Sequence, residues 1–206
     1  MDGTTAPEHW VGHTQCVRLY QDIFQVSLPK RRSPTRPVRF SAGRHRPSWF
    51  NIRTLPPGHD EWDEAGIASS VAYVEALIQA EIHHGVDPHH IILMGFSQGA
   101  ALSFMVALTA THQLGGVISL SGWIPHKGRD VSHNRTAICD ECSDDFLQQI
   151  TLTEPHFPIF CGQGRDDTEI PTYYAEEAMG FLRNVLCFRE THLTIKQYDG
   201  LAHAVM

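Results

Sequence analysis

Ile91-Ile92-Leu93-Met94-Gly95-Phe96-Ser97-Gln98-Gly99-Ala100-Ala101-Leu102-Ser103 decides how this chain is read. Ile91 to Met94 is apolar at every position, without the alternation of a half-solvated strand, so it reads as a strand buried on both faces of a parallel sheet. Ala100 and Ala101 open a helix-forming segment. Between the two stands Gly95-Phe96-Ser97-Gln98-Gly99, a G-x-S-x-G pentapeptide. A serine at such a strand-to-helix turn is held in a strained conformation that pushes its hydroxyl outward, and the flanking glycines supply the room. The helix behind it brings its N-terminal dipole and the free N–H of Gln98, a donor suited to an oxyanion. The pentapeptide alone is common, and a glycine-flanked turn with a buried serine is the plain alternative. The strand before it and the helix after it are what make Ser97 a candidate nucleophile.

On the N-terminal side, Glu61, Asp63 and Glu64 load the start of a helix with acids, where its dipole favours them. Ile67, Val71, Val74, Ile78 and Ile82 then recur at three- and four-residue spacings, which predicts one apolar face on a helix from about Glu64 to His84 that stops at Gly85. Further back the pattern thins. Residues 29–48 hold four prolines and six arginines and read as a loop interrupted by a short Val38-Arg39-Phe40 strand. Residues 1–27 show no sustained period, and only Asp22 to Ser27 could be strand.

On the C-terminal side, a helix to about Thr111 leads to a second apolar strand at Val117 to Leu120. Strand, helix and strand at this spacing predict a crossover in an α/β sheet. Residues 123–157 are mixed and polar, with a possible short helix near Asp144 to Ile150, and read as an insertion over the sheet edge. Pro158 to Cys161 is a further buried strand, Tyr173 to Leu186 a helix, and His192 to Tyr198 an alternating strand.

A serine nucleophile needs a base to take its proton and an acid to orient that base. Both follow downstream at strand ends. Asp166 and Asp167 come after the strand at Pro158 to Cys161, and His203 after the last strand, so Ser97, Asp167 and His203 are expected at the carboxyl edge of the sheet.

The chain has 206 residues, of which 42% are apolar and 19% charged, which fits one globular domain with a continuous core. A net charge of −7 argues against general attraction to nucleic acid or anionic lipid. Lys30-Arg31-Arg32 is too short to change that reading. No run approaches the roughly 18 apolar residues of a membrane span, and no secretory pattern opens the chain, so a soluble cytoplasmic protein is expected. The five cysteines are odd in number and irregularly spaced, which does not suggest a disulfide framework. Cys139 and Cys142 have zinc spacing, with His133 nearby, but no second pair, and two acids between them disfavour thiolate formation. No metal and no cofactor is expected. His83, His84, His89 and His90 bracket Gly85 and Pro88 at a helix end, where protonatable side chains suit the negative dipole terminus.

Three further stretches give the chain a relationship. Pro47-Ser48-Trp49-Phe50-Asn51-Ile52, Gly95 to Ser103 and Leu120-Ser121-Gly122-Trp123-Ile124-Pro125 resemble P-S-W-F-D-I, G-F-S-Q-G-G-A-L-S and L-S-G-W-L-P. These belong to the acyl-protein thioesterase branch of the phospholipase/carboxylesterase family, and the resemblance runs over about residues 28–206. It implies an α/β-hydrolase with a mostly parallel sheet flanked by helices, preceded by a poorly matched segment at 1–27. The family's H-G-x-x-D-x-x-V-P maps onto Gln163 to Pro171 and selects Asp167 over Asp166, while Y-x-G-x-x-H maps onto Tyr198 to His203. Gln163 replaces the family's histidine, with a modest effect expected because that position is not the base. The implied function is a serine hydrolase that cleaves long-chain acyl thioesters or carboxylic esters of an acylated protein or small ester, through an acyl-enzyme on Ser97.

Two departures set an alternative beside it. Nothing in residues 1–27 resembles the family's H-G-L-G-D strand and loop, which gives a second oxyanion donor, and the chain stops three residues beyond His203 where the family continues into a helix. An α/β-hydrolase fold incomplete at both ends is therefore expected. A truncated, weakly active or inactive binding protein is the competing reading.

Overall fold

The computed structural model describes residues 15–20, 23–27, 35–37, 45–58, 61–125 and 157–204. Its centre is a six-stranded sheet built from β1 (Gln15–Tyr20), β2 (Ile23–Ser27), β5 (Ile91–Phe96), β6 (Gly116–Leu120), β7 (Ile159–Gly164) and β8 (Leu193–Tyr198), in the order β2-β1-β5-β6-β7-β8. The last four are parallel to one another. β1 and β2 form an antiparallel pair whose first strand is also antiparallel to β5. A separate two-stranded sheet joins β3 (Thr35–Pro37) to β4 (His45–Pro47). The expected strand at Val38-Arg39-Phe40 lies outside the described residues, as does the expected helix near Asp144 to Ile150.

The helices form where the apolar spacing predicts them. Helix α1 spans Glu64–His83, with Asp63 accepting from the Gly66 N–H at its start, and buries Ile67, Val71, Val74 and Ile78. Helix α2, Gln98–Thr109, is different in kind. Every residue from Gly99 to Thr109 is buried, so it is a central element with no solvent face. Helix α3, Thr172–Asn184, packs against β7 and β8 and buries Tyr174, Ala178, Phe181 and Leu182. One continuous core links these helices to Leu93, Val117 and Ile159 of the strands. Among the described residues, no helix is long and apolar enough to cross a membrane.

Strand register sets the position of the functional edge. Phe96 pairs with Leu120, Leu120 with Gly162, and Gly164 with Tyr198, so β5 to β8 finish side by side. The turns that follow β5, β7 and β8 therefore open at one end of the sheet. At β1 the direction is reversed: Gln15 pairs with Met94 and Arg18 with Ile91, so it is the start of β1 that lies at this end.

Candidate active site

Ser97 occupies the turn between β5 and α2 with φ 52° and ψ −121°, a backbone region that side chains other than glycine rarely adopt. The turn is this tight because strand and helix nearly touch. A Cβ on Gly95 would lie 2.3 Å from the backbone of Gly99, so only glycine fits there. The Ser97 N–H donates to Leu120 O at 2.9 Å, and Ser97 O accepts from the N–H groups of Ala100 and Ala101. The Gln98 amide stands at the head of α2, ahead of the first of these helical bonds, where no intrahelical acceptor is in reach.

The three residues expected at the strand ends come together. His203 Nε2 is 3.0 Å from Ser97 Oγ, and His203 Nδ1 is 2.8 Å from Asp167 Oδ2, so the ring bridges hydroxyl and carboxylate. The ring also packs on Phe96, with centroids 4.7 Å apart. Asp167 is buried, whereas Asp166 beside it is exposed, which separates the two acids as the sequence pattern does. The carboxylate is fully engaged. Oδ1 accepts the N–H groups of Glu169 and Ile170 at 3.0 and 2.8 Å, and Oδ2 accepts from Gln163 Nε2 at 3.2 Å as well as from the histidine.

Backbone contacts hold the acid loop and the histidine loop against each other. Arg165 N–H donates to Tyr198 O at 2.9 Å, and Asp166 N–H to Leu201 O at 3.1 Å. Gly164 permits this approach, because a Cβ there would lie 2.1 Å from Leu201 O.

Two glutamines carry more than their sequence suggests. Gln163 is buried and spans from Asp167 to the carbonyl of Ile170, bracing the loop that presents the acid. The side chain of Gln98 reaches the other way: its Oε1 accepts from Trp49 N–H at 2.9 Å and its Nε2 donates to Phe50 O at 2.6 Å. Phe50 in turn meets Trp123 edge to face, with centroids 6.3 Å apart. The three sequence stretches around Trp49, Ser97 and Trp123 thus pack into one unit around the serine turn. The sequence signal for both glutamines was their place inside a motif, read there only for Gln98's backbone N–H and for the histidine that Gln163 replaces.

The remaining candidates fall elsewhere. Cys139, Cys142 and His133 lie outside the described residues, as do residues 1–14, which precede the end of β1 nearest the serine. His89 is part of a local surface pair, its Nδ1 2.9 Å from Asp87 Oδ1, and the bond to that carboxylate raises the imidazole pKa above its ordinary value.

Residues 12–206 match the model of the phospholipase/carboxylesterase family. The chain belongs to that family. It is 30% identical to acyl-protein thioesterase 1 of Yarrowia lipolytica over 195 residues, covering 95% of this chain and 78% of that one. With acyl-protein thioesterase 1 of Cryptococcus neoformans it shares 33% over 183 residues, covering 84% and 70%. The crystal structure of Arabidopsis thaliana SOBER1 superposes with a TM-score of 0.67 at 28% identity, over 84% of this chain and 74% of that chain. Acyl-protein thioesterase 2 of Zea mays shares the fold, with a TM-score of 0.59 at 24% identity over 84% and 72%. The chain is accordingly an α/β-hydrolase and, by family, a serine esterase or thioesterase.

Proposed function

We propose that the chain hydrolyses acyl thioesters or carboxylic esters of long acyl chains through an acyl-enzyme on Ser97. The observation that carries this is the unbroken chain from Ser97 Oγ through both nitrogens of His203 to the buried Asp167. His203 Nε2 takes the serine proton as the hydroxyl attacks the acyl carbonyl, and Asp167 holds the ring and stabilises the imidazolium that forms. The Gln98 N–H, at the head of α2, donates to the oxygen as it becomes negative. His203 returns the proton to the leaving atom. Water then attacks the acyl-serine by the same route in reverse. The names of the two fungal relatives support an acylated protein as the substrate class.

Within that class thioesters should turn over faster than amides of the same acyl group, since a departing thiolate needs little protonation. The second oxyanion donor bears on rate, because removing one such donor costs about 10²- to 10³-fold. In the family it follows a strand, whereas here the end of β1 is turned away from Ser97. The decisive test is labelling by a fluorophosphonate probe, together with turnover of a palmitoyl-thioester peptide, for the parent chain and Ser97→Ala. Both signals should vanish in the variant while the thermal midpoint moves by no more than about 2 °C. Equal turnover in the two proteins would refute the proposal, and a parent chain that neither labels nor turns over would favour the binding-protein reading.

A further inference from the structure

Glu169 stands two residues beyond Asp167, in the same loop, and its position bears on the site in a way Asp167 does not. Its backbone N–H is held by Asp167 Oδ1 at 3.0 Å, which fixes where the side chain begins. The carboxylate turns back toward the histidine, and Oε2 lies 3.7 Å from His203 Nε2. That nitrogen is the one that faces Ser97. The Glu169 side chain is 51% exposed, while that of His203 is 13% exposed, so the carboxylate sits on the solvent side of the ring. Among the described residues it makes no other ion pair, and Arg165 in the same loop is matched with Asp199 at 3.3 Å. The two acids of this loop therefore have separate situations: Asp167 is buried under four donors, and Glu169 holds its charge at the edge of the reacting centre.

The nitrogen that removes the serine proton must also deliver it to the leaving atom, which then lies about 3 Å from Nε2. A leaving atom so placed is within about 7 Å of the Glu169 carboxylate, inside the screening length of about 8 Å at physiological salt. Charges carried next to that atom are felt there directly. On the hydrolase reading above, we infer that Glu169 selects leaving groups by charge: it favours acyl substrates whose leaving segment carries lysine or arginine beside the acylated atom and disfavours those with an anionic group there. A basic peptide bearing an S-acyl cysteine fits this requirement. A lysophospholipid, with a phosphate near the ester, does not.

The test uses two S-octanoyl-cysteine peptides of equal length, one with lysine and one with glutamate on both sides of the cysteine. The readout is the ratio of their kcat/KM values within each protein, which a general loss of folding does not move. The parent chain should prefer the lysine peptide by about three- to tenfold, the size expected of exposed charge pairs. Glu169→Gln should bring the ratio close to one, Glu169→Lys should invert it, and about 0.5 M salt should shrink it in the parent. A ratio in Glu169→Gln equal to the parent's, or a parent without preference, overturns the inference while leaving the hydrolase reading intact. Absence of any turnover that depends on Ser97 overturns both.

Discussion

Gln163 makes its contribution through the acid. It supplies one of four hydrogen bonds to Asp167, and its own Oε1 is buried with no partner among the described residues. Gln163→Leu removes the donor and leaves the carboxylate short of one charge-assisted bond, so kcat on an activated ester should fall by about tenfold. Gln163→His restores an N–H of similar reach and sheds the orphaned carbonyl, and should hold kcat within about threefold of the parent. Steady-state rates on the three proteins check both outcomes. If the leucine variant matches the parent, the amide only fills space. At this scale the sequence was legible where chemistry is tied to a turn or a strand end, as for Ser97, Asp167 and His203. It was silent on Gln163 and on the side chain of Gln98. A glutamine reads alike whether it meets water or a carboxylate, and the partner that defines Gln98, the Trp49 N–H, is 49 positions away.

Among the elements, the contact of β5 with α2 is the least forgiving. A Cβ at Gly95 would meet only backbone atoms, of Gly99 and Ala100, within 2.4 Å, and backbone cannot rotate away. Gly95→Ala should therefore cost about 3 kcal/mol or more and lower the thermal midpoint by roughly 6–12 °C. Gly180 provides the contrast, since it lies inside α3 and a Cβ there meets nothing within 4 Å. Gly180→Ala should raise stability by about 0.5–1 kcal/mol through helix propensity alone. Thermal melts of the pair settle whether crowding or glycine count governs this fold. Elements with a long period or an unbroken apolar run were readable: α1 and β5 begin where their residues predict, and α1 ends one residue short. β1 was not, because six residues of a short hairpin, Gln15 to Tyr20, carry too little periodicity to stand out from loop.

For the molecule as a whole, burial decides which thiols can react. Cys161 lies in β7 at the middle of the parallel strands, and desolvation pushes its pKa up to about 12, so its thiolate is scarce at neutral pH. Cys187 is exposed. Iodoacetamide at about pH 8 should modify Cys187 in the folded protein and reach Cys161 only after denaturation. Peptide mass spectrometry with and without denaturant reports this, and equal native labelling of the two would mean that the sheet opens around β7. The architecture followed from the sequence as far as the parallel strands and their helices, since each βαβ step leaves its own pattern. Strand order did not, because which strand lies beside which is settled by pairing between segments far apart in the chain.

Ser97 and His203 are 106 positions apart, while the other contacts that hold the serine's strained turn, such as its N–H bond to Leu120 O, lie within the preceding half of the chain or shortly after it. A chain emerging from the ribosome thus carries the proposed nucleophile long before the proposed base that would arm it. On the proposed mechanism the serine is an ordinary hydroxyl during synthesis, and reactivity arrives as a late event, when β8 docks and brings the imidazole with it. On that mechanism a product cut or halted anywhere between Asp167 and His203 would keep serine and acid without the base, and retain only the weak residual catalysis of a site that lacks its histidine.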